Sequence, residues 1–135
     1  MSVFEKWQSW APELRSILRI VAAATFILSG TSKLFAFPVG MPPDNSIAHP
    51  WTEVWIGGVL EVVGGALLLV GLFTRPVSFI LSGEMAVAYW QFHAPMSIYP
   101  TVNQGIAAVM YCFVFLYFSA VGGGPWSLDA LRGKR

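Results

Sequence analysis

The chain carries little charge. Asp, Glu, Lys and Arg make up 11% of its 135 residues, whereas soluble domains contain about 25% of these residue types. So few charged side chains cannot cover a surface that faces water, which excludes a soluble globular protein. The formal net charge is only +1, and no basic patch with interleaved aromatic residues occurs, so we expect no nucleic acid among the partners.

Cysteine and histidine are also scarce. Cys112 is the single cysteine, which excludes an internal disulfide, a Cys-x-x-Cys redox pair and a thiolate cluster for zinc or iron–sulfur within this chain. We expect Cys112 to pack as a small apolar residue. The two histidines, His49 and His93, are far apart in the sequence, so we expect no metal site.

Long hydrophobic runs are the main feature that is present. Four runs, at residues 17–37, 54–73, 77–93 and 102–121, are each near the length of about 17–25 residues that crosses a bilayer as a helix. None alternates with a period of two, which argues against a membrane β-barrel. Lys33 stands where a signal-peptide cleavage site would need small neutral residues, so we expect the first run to be retained. The sequence therefore predicts an all-α fold, with one domain over residues 1–135 that forms an integral membrane four-helix bundle.

The placement of basic residues predicts the orientation of this bundle. With four spans, the N-terminus, the second connection and the C-terminus share one side of the membrane, and seven of the eight basic residues lie on that side. They are Lys6, Arg15, Arg19, Arg75, Arg132, Lys134 and Arg135. Lysine and arginine are in excess on the cytoplasmic side of membrane proteins. We therefore expect both termini to be cytoplasmic.

Two glutamates lie inside the predicted spans, Glu61 in the second and Glu84 in the third. A charge at the bilayer centre costs roughly 2.5–3.5 kcal/mol on insertion scales, so such carboxyls usually face a partner or a wet cavity. At a rise of about 1.5 Å per residue, both lie in the outer half of the membrane. Five other polar residues lie at similar depth: Lys33, Gln91, His93, Asn103 and Gln104. We predict an outward-open pocket, with the two glutamates as catalytic candidates and the other five as ligand-binding candidates.

These polar residues also have structural interpretations. Lys33 and Glu61 form either a structural ion pair or part of a catalytic group. Gly57 and Gly65 flank Glu61 at a spacing of four, and small residues at that spacing let membrane helices approach closely, so we expect Glu61 to be interior. Glu84 has no cation left at its depth, and burial favours the neutral form of a carboxyl.

Arg19 and Asp129 are predicted as structural charges at the inner side. Arg19 has two alternative roles: it extends to the inner interface as an anchor, or it pairs with Asp129.

Several short motifs occur in an order that is typical of one family. They are LRI at residues 18–20, GTSKL at 30–34, GVLEVVGG at 58–65, GLFTRP at 71–76, YCF at 111–113 and PWSLD at 125–129. No single motif is specific, but together they resemble the DoxX family of membrane proteins over about residues 15–132.

The resemblance implies a multi-pass protein of the bacterial inner (plasma) membrane. It implies an accessory subunit of a quinone-linked redox or oxidative-stress system, with a quinone as ligand and no covalently bound cofactor. A redox partner protein and a second copy of the chain are the partners it implies. The family's polar positions carry over to Arg19, Lys33, Glu61, Asn103 and Asp129. Relatives often have an acidic residue shortly after the asparagine, where this chain has Ile106.

In that redox role, Lys33 would attract an anionic group or a quinone oxygen, and Glu61 or Glu84 would move protons. Outside the resemblance, the sequence has no cysteine pair, haem motif or dinucleotide fingerprint. Two other classes therefore stay open: a small-molecule binding or carrier protein, and a membrane scaffold for the assembly of a larger complex.

Overall fold

A computed structural model describes residues 1–133, and within that range the chain is helical and contains no β-strand. The helices are α1 (Val3–Gln8), α2 (Ala11–Phe35), α3 (Glu53–Val70), α4 (Thr74–Ala88), α5 (Pro100–Asn103), α6 (Ile106–Val121) and α7 (Leu128–Leu131). A π-helical turn, Tyr89–His93, continues α4. The predicted all-α fold is confirmed for the described residues.

Turn-forming residues set the ends of the first long helices. Pro12 lies in the first turn of α2, where a missing N–H removes no intrahelical hydrogen bond. The hydroxyl of Thr52 accepts a hydrogen bond from the Trp55 N–H at the start of α3, and Gly71, with a φ of 73°, ends this helix. As a result α2 begins at residue 11, before the first predicted run at 17–37. α3 ends at residue 70, before the end of the second predicted run at 54–73.

The fourth predicted run, residues 102–121, is divided in two. α5 ends at Asn103, Gln104 has a left-handed φ of 61°, and α6 begins only at Ile106. The prediction that residues 102–121 form one continuous helix is therefore wrong. The side-chain oxygen of Asn103 accepts a hydrogen bond of 2.8 Å from the Gly105 N–H, and such local bonds favour a turn over a continued helix.

The four long helices are arranged as two closely packed pairs, α2 with α3 and α4 with α6. In the first pair the backbones nearly touch, since a Cβ added to Gly30 would lie 2.8 Å from the Gly58 carbonyl oxygen. Glu61 is buried in this pair, as its flanking glycines predicted. Between the pairs lies an apolar core made by Ala22, Ala23, Phe26, Leu68, Leu81, Met85, Ala108, Phe115 and Phe118.

The outer surface of the long helices is apolar. Large exposed side chains occur on each of them, for example Val21, Val63, Phe79 and Phe113. By length and composition, α2 and α3 can each cross a membrane, and α6 is a shorter apolar helix. The number of spans and their orientation stay predictions.

Candidate functional site

A cavity of about 1040 Å³ lies between the two helix pairs, at the end of the molecule where α2 ends and α3 begins. Six of the seven predicted catalytic and ligand-binding residues line it: Lys33, Glu61, Glu84, Gln91, His93 and Gln104. Most of the remaining lining is apolar, as in sites for small molecules, which typically measure about 300–1,000 Å³. The cavity is therefore large enough to hold a ligand.

Lys33 and Glu61 form an ion pair in one wall of the cavity. Nζ of Lys33 lies 2.7 Å from Oε1 of Glu61 and 3.0 Å from Oε2, and it also donates to the Ser29 hydroxyl at 3.0 Å. The side chain of Glu61 is 2% exposed and that of Lys33 is 25% exposed. The expected ion pair is confirmed, and its more accessible member is the cation.

Glu84 approaches this ion pair from the opposite wall. A Cβ added to Gly57 would lie 3.1 Å from Oε2 of Glu84 and 3.9 Å from Oε2 of Glu61. The two carboxyls therefore lie close together beside Gly57, which has no side chain. Within residues 1–133, Oε1 of Glu84 is buried and has no hydrogen-bond partner. A buried polar atom left unpaired costs about 1–3 kcal/mol and is rare. Glu84 is therefore suited to hold a proton or to bond with a ligand in the cavity.

The π-helical turn brings Gln91 and His93 to the cavity. Such turns occur often at functional sites. Nδ1 of His93 lies 2.9 Å from the Asn103 carbonyl oxygen, which ties the turn to the end of α5.

Asn103 itself lies outside the cavity lining. It is buried, and its amide nitrogen donates to the Tyr89 hydroxyl at 3.1 Å and to the Ser97 carbonyl at 2.8 Å. These bonds hold the connection between α4 and α6. The structure thus places Asn103 beside the cavity as part of a turn, where its carbonyl oxygen contacts His93 but its side chain does not line the cavity.

Arg19 lies at the opposite end of the molecule and is only 1% exposed. Its guanidinium donates to the carbonyls of Leu68 and Trp126, each at 2.7 Å, and to that of Gly123. The side chain of Arg19 is buried within the molecule, and within the described chain it forms no ion pair with Asp129. Free carbonyls at the end of α3 and in the C-terminal segment satisfy it instead.

Asp129 binds the start of α4. Its carboxylate accepts hydrogen bonds of 2.9 Å from the N–H groups of both Phe73 and Thr74. Partial burial by itself raises the pKa of Asp129, but hydrogen bonds from Thr74 and Phe73 outweigh it and hold the pKa below its ordinary value. Asp129 therefore caps a helix to which it does not belong.

Three polar residues of the cavity lining were not predicted from the sequence: Ser29, Glu53 and Tyr111. Ser29 precedes Lys33 by one helical turn, a spacing that could have identified it. Tyr111 is held by a 2.6 Å hydrogen bond between its hydroxyl and that of Thr25, and no local pattern predicts a contact between residues so far apart in the chain. Within residues 1–133 no group of three or more His, Cys, Asp or Glu side chains could hold a metal ion.

Comparison with known proteins identifies the family. The DoxX family model matches residues 14–94, the part of the chain that contains the Lys33–Glu61 pair and Glu84. An uncharacterized protein from Haemophilus influenzae is 41% identical over 126 residues, which cover 90% of this chain and 92% of that protein. No solved structure gives a significant match. The chain therefore belongs to the DoxX family of membrane proteins.

Proposed function

We propose that the chain is an accessory subunit of a quinone-linked redox system and that its cavity binds the quinone ring. The observation that carries this proposal is the unpartnered Oε1 of Glu84 beside the Lys33–Glu61 pair, in an otherwise apolar cavity. A quinone ring has apolar faces and two oxygens that accept hydrogen bonds. Lys33 and a protonated Glu84 are donors for those oxygens, and the apolar lining fits the faces. Family resemblance supplies the redox setting.

The three ionisable residues have different roles in this proposal. Lys33 donates a hydrogen bond to one quinone oxygen, and Glu61 holds Lys33 in place through the ion pair. As the quinone is reduced to the quinol, Glu84 gives a proton to a quinone oxygen, regains a proton from water that reaches the cavity, and delivers the second proton in the same way. Reduction takes two electrons and two protons. A partner redox protein, which oxidises its own substrate, supplies the electrons.

The membrane arrangement that suits this role has four spans in the inner membrane, with both termini in the cytoplasm and the cavity facing outward. Support comes from the basic residues at the end opposite the cavity, where α2 and α4 begin and the described chain ends. They are Arg15, Arg19, Arg75 and Arg132. Lys134 and Arg135, which also contribute to the predicted orientation, lie outside the described residues.

The size of the cavity favours a second candidate function, the binding or carriage of a small molecule without redox chemistry. Its volume of about 1040 Å³ is at the upper end of the range for small-molecule sites. A carrier would bind ligand in the absence of any partner and would leave quinone reduction in the membrane unchanged.

Quinone reduction in membranes from a strain that lacks the protein, complemented with variants, tests the proposal. Glu84→Gln keeps the size of the side chain but cannot release a proton. We expect this variant to accumulate normally and to slow quinone reduction by about 10²–10⁴-fold, the usual contribution of a general acid. Asp44→Asn, which changes an exposed carboxyl outside the cavity, serves as the matched control. A wild-type rate with Glu84→Gln contradicts the proposal.

A further inference from the structure

α3 and α4 diverge with distance from the turn that joins them. Close to the turn they are in contact, since a Cβ added to Gly64 would lie 2.9 Å from both methyl carbons of Leu81. Further along, the cavity separates them, and the side chain of Glu84 reaches across toward Gly57. Each of these helices contacts the other less than it contacts its own pair partner.

The gap between α3 and α4 opens sideways to the surface of the molecule. On α3 and α4, four large apolar residues line the cavity and are also exposed: Ile56 and Leu60 on α3, and Ile80 and Val87 on α4. We call these four residues the lateral opening. In a membrane-spanning protein, such a helix flank faces the acyl chains of the lipids.

The opposite side of the cavity is closed. The hydroxyls of Thr25 and Tyr111 form a 2.6 Å hydrogen bond between α2 and α6. The ring of Phe26 packs against those of Tyr111 and Phe115, at centroid distances of 5.1 Å and 4.8 Å. An apolar path therefore leads from the two carboxyls to the surface between α3 and α4.

We infer that the ligand has a long apolar tail and enters the cavity sideways from the bilayer, between α3 and α4. This inference rests on the proposed function and names the class of substrate, a quinone with a polyisoprenoid tail that is dissolved in the membrane. The ring lies at Lys33 and Glu84, and the tail stays in the lateral opening. Polar groups at the inner end of the gap and apolar side chains at its outer end match the two parts of such a molecule.

Gly83 is the position at which the lateral opening can be blocked. It lines the cavity and is exposed, and a Cβ added there would meet no atom within 4 Å. A side chain introduced at this position therefore begins in open space, and we expect a large one to extend into the gap. Ala24, an exposed small residue of α2 outside the cavity lining, is the matched control.

The test compares wild-type protein, Gly83→Trp and Ala24→Trp as full chains in lipid nanodiscs. One probe is a polyisoprenyl benzoquinone delivered in the bilayer, and the other is a tail-free benzoquinone added from water. We expect Gly83→Trp to bind the long-tailed probe about tenfold more weakly than wild type, or about 1.4 kcal/mol, and to bind the tail-free ring as wild type does. Ala24→Trp should bind both probes like wild type.

The outcomes separate this inference from the proposed function. Equal binding of the long-tailed probe by wild type and Gly83→Trp overturns lateral entry and leaves the proposed function standing. Lateral entry is also overturned if Gly83→Trp loses binding of both probes equally. The same holds if the wild-type protein binds the tail-free ring but not the long-tailed probe. Wild-type protein that binds neither probe overturns both proposals.

A second variant blocks the gap only after the protein has folded. Gly83→Cys, combined with Cys112→Ala to remove the native thiol, is treated with thiol reagents of increasing size. We expect binding of the long-tailed probe to fall as the reagent grows. Binding that is independent of reagent size, at full labelling, overturns lateral entry.

Discussion

Two carboxyls of the same cavity are held in different ways. Glu61 is buried against Lys33, which compensates its charge, whereas Glu84 has no cation of its own within the described chain and one of its oxygens is unpaired. A paired carboxylate serves structure well because its charge is satisfied. A neighbouring carboxyl with one oxygen that has no hydrogen-bond partner is the group that can exchange a proton or bond with a ligand.

The ion pair is expected to contribute to stability. Lys33→Ala or Glu61→Ala strands the other charge, which for buried pairs costs about 3–5 kcal/mol. We expect about 3 kcal/mol for each variant because Lys33 is one-quarter exposed. Unfolding in detergent measures the loss, and the double variant should lose less than the sum of the two. Strict additivity would show that the two residues are not coupled.

Asp129 is expected to stabilise the start of α4 in a pH-dependent way. Asp129→Ala removes the acceptor for the Phe73 and Thr74 N–H groups, and the loss of a helix cap costs about 1 kcal/mol. The pKa of Asp129 is lowered in the folded protein, so its ionised form stabilises the fold above the unfolded pKa of about 3.9. That contribution is lost as the pH falls through the lower folded pKa.

Unfolding of wild type and Asp129→Asn at neutral and acidic pH measures this effect. The stability difference between them should be largest near neutral pH and should shrink below about pH 4. A difference that is independent of pH contradicts the assignment of Asp129 as a charged cap.

The glycines of the long helices mark two kinds of surface. Gly30 lies where α2 and α3 nearly touch, and Gly64 lies where α3 meets α4. Gly83 belongs to the same helix as Leu81, yet it faces open space. One helix thus packs tightly near the turn and lines a gap beyond it, which produces the wedge-shaped space between α3 and α4.

Two alanine substitutions distinguish these surfaces. A Cβ at Gly30 would lie 2.9 Å from the Val62 backbone nitrogen, so Gly30→Ala should destabilise the protein by about 1–3 kcal/mol through overpacking. Gly83→Ala meets no neighbour and should stabilise the helix by about 0.5–1 kcal/mol, because glycine is the poorer helix former. Thermal unfolding of both variants in the same detergent is the measurement. Similar shifts for both would contradict the packing described for α2 and α3.

At the scale of the whole molecule, the two ends differ in chemistry. One end holds the cavity with its carboxyls, and the other is held together by Arg19 and Asp129, which join the C-terminal segment to α3 and α4. The turn between α3 and α4 lies at this second end, together with Arg75. Hydrogen bonds therefore hold the helices together at the basic end, and the larger cavity lies at the other end.

Reporter fusions test the proposed orientation. A reporter at the C-terminus should give a cytoplasmic signal, and one inserted within residues 41–46 should give a signal from the outer side, because basic residues are in excess on the cytoplasmic side. Paired reporters that are active on opposite sides of the membrane control for expression. A cytoplasmic signal from the insertion contradicts the four-span arrangement.

Local patterns in the sequence were sufficient for the helical class, the family and the Lys33–Glu61 pair. Apolar runs and helical spacing are properties of neighbouring residues, and the depth of Glu61 in its run, counted from the apolar boundary, brings it level with Lys33. Depth counted in the same way predicted that Glu84 lies in the outer half of the membrane with Glu61. In each case the controlling physical quantity is the cost of moving apolar or charged groups between water and an apolar phase, which depends on residue type.

The remaining features depend on contacts between residues that are distant in the chain. The carbonyl partners of Arg19, the bond between Thr25 and Tyr111, and the end of α5 at Asn103 each require a neighbour that no periodic pattern specifies. The gap between α3 and α4 likewise arises from how two helices diverge after Gly64 and Leu81 meet. Helix spacing predicts which residues share a face, but the distance between two faces is set by the packing of the whole molecule.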